Sequence, residues 1–88
     1  METLNGVEIK RQDLKSEGGK YLFFKQLEDI AMKEGQEIKT PLNDQLFSKY
    51  DSLVITQDDE IVGRKGEDNK TINKIKGAFA AAQTLFSE

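Results

Sequence analysis

Leu53-Val54-Ile55-Thr56 is an apolar, β-branched run. Four polar residues follow, Gln57-Asp58-Asp59-Glu60, and then Ile61-Val62 ahead of Gly63-Arg64-Lys65-Gly66. Two strand-like runs around a polar tip read as a β-hairpin over residues 53–65. A lone hairpin is barely stable in water, so the rest of the chain must supply further strands and a layer to cover the apolar face. With 88 residues there is room for one such core, and the chain is read as a single compact domain over 1–88.

The remaining elements follow from spacing. Val7-Glu8-Ile9-Lys10 alternates apolar and polar behind Asn5-Gly6, which predicts a short N-terminal strand. After the flexible Ser16-Glu17-Gly18-Gly19, residues Lys20 to Glu34 set Phe23, Leu27, Ile30 and Ala31 at helical spacing against Lys25, Glu28, Asp29 and Lys33. Gly35 stands at the C-cap. Thr40 and Pro41 are an N-cap and first-turn pair, and Leu42, Leu46 and Tyr50 predict a shorter helix to Tyr50. From Asp68 or Asn69 onward, Ile72, Ile75, Phe79, Ala82 and Phe86 alternate spacings of three and four, which predicts a long C-terminal helix. The expected class is α+β, a short antiparallel sheet made of the N-terminal strand and the hairpin and packed by these helices. Gly6-Val7-Glu8-Ile9-Lys10 and Gly35-Gln36-Glu37-Ile38-Lys39 share G-x-E-I-K, but the residues that follow match poorly and indicate no duplication.

Composition removes most chemistries. The chain has no Cys and no His, hence no disulfide, thiolate nucleophile, imidazole base or usual zinc, haem or iron–sulfur ligand set. No cofactor, metal or catalytic residue is expected, and the chain is read as non-enzymatic. Met1 leads into Glu2, Thr3 and Asn5 with no apolar run behind it, so a cytoplasmic location without a secretory signal is expected. No stretch approaches the roughly 20 apolar residues that cross a bilayer, and no membrane partner is expected.

Several motifs fail on inspection. Gly63-Arg64-Lys65-Gly66 with Lys70-Thr71 suggests a phosphate loop, but Asn69 stands where G-x-x-x-x-G-K-[ST] needs glycine, and Glu67 and Asp68 would repel the anion. Helix, helix and hairpin follow in the order of a winged helix-turn-helix, yet Glu34, Gln36, Pro41 and Asp44 fall where apolar packing is needed. Glu8-Ile9-Lys10 and Glu37-Ile38-Lys39 match the E-x-K fragment of metal-dependent nucleases, with Asp13 or Asp58 as the only suppliers of a further acid. Asp58, Asp59 and Glu60 lack the spacing of a calcium loop and read as a solvated tip. Asn69-Lys70-Thr71 is a glycosylation acceptor by pattern alone.

The net charge is −3, and it is unevenly spread: residues 28–60 carry three basic against nine acidic side chains, a balance of −6. The preferred reading is a small non-catalytic protein-binding module, an inhibitor or adaptor that occludes or tethers a partner with a basic surface. Its candidate contacts are Phe24, Glu28, Asp29, Asp58, Asp59 and Glu60. Phe24 enters because adjacent helical positions point about 100° apart, so Phe23 and Phe24 cannot both sit mid-stripe; Tyr21 lies near it. The alternative is a nucleic-acid-binding or regulatory domain using Arg64, Lys65, Lys70, Lys74 and Lys76, although no aromatic side chain lies among these lysines to stack on a base. The chain is expected to be a monomer, or a homodimer through Phe79, Phe86 and the small residues of the last helix.

Overall fold

A computed structural model describes residues 5–14, 22–43 and 45–86. Tyr21, Asp44 and the Ser16–Gly19 segment lie outside the described residues. The elements are β1 (Gly6–Ile9), α1 (Arg11–Leu14), α2 (Phe23–Lys33), α3 (Leu46–Lys49), β2 (Ser52–Thr56), β3 (Glu60–Lys65), β4 (Asp68–Lys74) and α4 (Ala78–Phe86). The strands form one antiparallel sheet in the order β1-β2-β3-β4, and α4 packs across β1, β2 and β3 with α2 against it. This is an α+β fold, as expected.

Register sorts the side chains. Val7, Ile55, Ile61 and Asn73 form one row across the sheet, and Ile9, Leu53, Gly63 and Lys70 the next. The apolar members of these rows face the helices, where Phe23, Leu27, Ile75, Ala78 and Ala82 complete the core. Alanines on α4 let the helix approach the sheet closely, and Phe86 meets Phe23 edge-on with ring centres 5.1 Å apart. On the second face Glu8, Val54, Val62 and Thr71 form a row, bordered by an ion pair between Arg64 and Glu8 at 3.3 Å.

Two predicted helices are revised. The long C-terminal helix is instead a strand and a nine-residue helix: Gly66 (φ 61°) turns β3 into β4, and Gly77 (φ 92°) separates β4 from α4. The helix predicted from Pro41 to Tyr50 contracts to Leu46–Lys49. Thr40 does not cap it, because its hydroxyl donates to the Ile72 carbonyl and its amide to the side chain of Asn73. The buried faces of Ala78, Ala81 and Ala82 lie within the chain's own core.

Candidate functional site

Helix α2 buries Phe23, Phe24, Leu27 and Ala31, and Lys25, Glu28 and Asp29 face out. Its end is a Schellman turn at Gly35 (φ 66°), where the Gly35 amide donates to the Met32 carbonyl and the Gln36 amide to the Ala31 carbonyl. That turn sends residues 36–43 back along the helix. Asn73 then fixes the returning segment: its Oδ1 accepts from the Lys39 and Thr40 amides at 2.8 and 3.1 Å, and its Nδ2 donates to the Thr40 carbonyl at 2.8 Å. The Lys76 amide donates to the Gln36 side chain at 2.8 Å.

Between helix and returning segment lie two hollows that meet at Glu28 and together make a furrow. One end is lined by Leu22, Phe24, Lys25, Leu42 and Asn43, the other by Ala31, Met32, Gln36 and Ile38, and Glu28 borders both. Leu22 and Met32 are 59% and 77% exposed, and they are the exposed large hydrophobic residues among those described. They sit at opposite ends of this furrow. Sequence reasoning missed both; the signal was that positions 22 and 32 fall off the 23, 27, 30, 31 stripe.

The residues singled out from sequence scatter. Phe24 is core, 8% exposed, with its ring 6.2 Å from those of Phe23 and Phe47, and it reaches solvent only as furrow floor. Glu28 and Asp29 are exposed on α2. The hairpin tip is no solvated acidic patch throughout. Asp59 (φ 65°) turns its carboxylate to the Phe79 amide at 3.0 Å, Glu60 stands opposite Lys74, and Asp58 is exposed where the other two are half-buried.

The basic residues also separate. Arg64 is paired with Glu8, and Lys65 stands opposite Asp68 in the β3–β4 ladder. Lys70 and Lys74, expected on one helix face, lie on β4 across an irregularity, opposite Gly63 and Glu60 respectively. Gly63 and Glu60 are an odd number of positions apart on β3, so the two lysines point to opposite faces of the sheet. Lys76 is exposed in the turn before α4.

For the E-x-K triplets, Glu8 accepts from the Ser52 hydroxyl at 2.9 Å, and Asp13 accepts from the Lys10 amide at 2.8 Å at the start of α1. No group of three or more carboxylates among the described residues could hold a metal ion. No helix among them is long and apolar enough to cross a membrane. Comparison with known proteins found no matching family model, no similar curated protein and no similar solved structure.

Proposed function

We propose that this chain is a small non-catalytic protein-binding module, acting as an inhibitor or adaptor by occluding or tethering its partner, and that it docks through the α2 furrow. The observation that supports this reading is the placement of Leu22 and Met32, both exposed, in two adjoining hollows that meet at Glu28. Contiguous exposed apolar surface with a polar rim is where proteins bind one another, and Asn43, Gln36, Lys25 and Glu28 are that rim. Fully burying a Leu or Met side chain contributes roughly 1.5–3 kcal/mol, so these two anchors supply about 1–2 kcal/mol each from their present exposure. Glu28 and Asp29 add the acidic character that steers a basic surface to the furrow.

The test is capture of partner protein by the tagged chain, run in parallel for wild type, Met32→Glu and the double variant Lys65→Ala/Lys70→Ala, each with and without nuclease. A protein retained by wild type and the lysine variant under nuclease, and lost with Met32→Glu, is the expected result. Retention by Met32→Glu overturns the furrow. Loss of all captured protein on nuclease treatment overturns the protein-binding reading and moves the site to the lysines.

A further inference from the structure

We propose that the furrow's occupant is a second copy of this chain, docked with its α2 antiparallel to the first about a two-fold axis. The inference rests on the protein-docking reading above and names its partner, a chain acidic overall whose basic group at this face is Lys25. Leu22 and Met32 lie ten positions apart, about 15 Å along a helix. A two-fold contact is self-complementary: what one copy offers, the other must receive. Reversing one α2 over the other carries Met32 of the second copy to the Leu22 end, onto Phe24 and Leu42, and Leu22 of the second copy to the Met32 end, onto Ala31 and Ile38. Each exposed anchor thereby meets apolar furrow floor.

The charges select the same arrangement. With Leu22 set over Met32, Lys25 of one copy falls opposite Asp29 of the other, with Glu28 one position away, and the axis repeats the contact. Parallel alignment would set Lys25 on Lys25 and Asp29 on Asp29, which is repulsive; the antiparallel one relieves both, and the two Glu28 that flank its axis each lie one position from the second copy's Lys25. Lys25, Glu28 and Asp29 are all exposed, and none takes part in an ion pair or side-chain hydrogen bond among the described residues. They are therefore available to a second copy. Three of the four alanines of helix α4, Ala78, Ala81 and Ala82, are already buried in the chain's own core.

Sedimentation equilibrium of the full chain over a micromolar to millimolar range decides the matter. Wild type is expected to show a reversible monomer–dimer equilibrium that weakens with salt. Lys25→Glu should weaken dimerisation about tenfold, as like charges replace both pairs. The charge swap Lys25→Glu/Asp29→Lys should restore it to within about threefold, because the swap keeps the cross-axis pairing. Met32→Glu should abolish it. All three positions are on the exposed side of α2, so far-UV circular dichroism and urea midpoints should hold and show that folding is intact. A wild type that stays monomeric throughout overturns the second copy, and Met32-dependent capture of another protein would then leave the docking reading standing. A dimer indifferent to both Met32→Glu and Lys25→Glu overturns the inference, as does a swap that fails to rescue.

Discussion

Asp59 accepts a hydrogen bond from the Phe79 amide on its Oδ1 at 3.0 Å, while its own carbonyl accepts from the Ile75 amide at 3.0 Å. One residue at the tip of the β2–β3 hairpin thus fastens both the exit of β4 and the first turn of α4. A negative charge at a helix N-terminus is favourable, and the amide it satisfies is one that no intrahelical carbonyl reaches. Asp59 does this from a left-handed backbone (φ 65°), which Asp tolerates better than most residues.

A ranked series tests that role. Asp59→Asn keeps an acceptor and the left-handed tolerance and should lose only a few tenths of a kcal/mol. Asp59→Gly removes the cap but relaxes the backbone. Asp59→Ala loses the cap, about 1 kcal/mol, and keeps a Cβ in the left-handed region without the short polar side chain that lets Asp tolerate it, a strain that Gly escapes. Urea midpoints should fall in the order wild type, Asn, Gly, Ala. An Ala variant as stable as wild type would show that the contact contributes nothing.

The hairpin, β1, α2 and its glycine stop were legible because their signals are local: alternation, a 3.6-residue stripe, and a position needing positive φ. Residues 68–86 were not. Ile72, Ile75 and Phe79 keep helical spacing, yet a strand with an irregular register followed by a turn yields the same spacing. Asp68-Asn69-Lys70-Thr71, at the sheet edge, has no apolar alternation to betray a strand. The overlooked sign was Gly77, since an interior glycine costs a helix about 1 kcal/mol. Leu22 and Met32 were hidden for a different reason. Whether they are covered depends on where residues 36–43 return, and that is decided by Asn73, more than 30 positions further along the chain.

Tyr50 lies flat against Gly63, and a Cβ at that position would stand 2.6 Å from the Tyr50 ring. Gly63→Ala is therefore expected to destabilise by about 1–3 kcal/mol through overpacking. The same substitution made in a Tyr50→Ala background should cost much less, since the obstructing ring is gone. Chemical denaturation of the four-member cycle reads the coupling directly, and additive effects would show that the ring does not set the requirement for glycine.

The Glu8–Arg64 pair is exposed, with side-chain accessibilities of 45% and 40%, so Arg64→Ala should change stability by less than about 1 kcal/mol, and less still in high salt. Glu8→Ala should cost more than Arg64→Ala. It also removes the acceptor of Ser52, whose hydroxyl sits in a residue only 4% exposed. Urea midpoints of the two variants at low and high salt check the order. Equal costs would place the stabilisation in the ion pair, which both substitutions remove, and a reversed order would show that the Ser52 hydrogen bond contributes nothing.

Asn73 joins the sheet edge to the furrow wall, and its substitution should affect the two differently. It is 3% exposed and makes three hydrogen bonds to the backbone of Lys39 and Thr40. Asn73→Ala strands those amides and should cost about 1–3 kcal/mol. The first consequence is local: with its clasp gone, the segment carrying Ile38 and Leu42 loses the restraint that holds it beside α2. In amide hydrogen exchange Lys39 and Thr40 should lose protection to a greater degree than Val54 and Val62 in the central strands, which are lost only with the whole sheet. Self-association should weaken in step, because one wall of the furrow no longer stands in place when the second copy arrives. Equal loss of protection at all four amides would instead make Asn73 a support of the global fold, with no separate hold on the furrow.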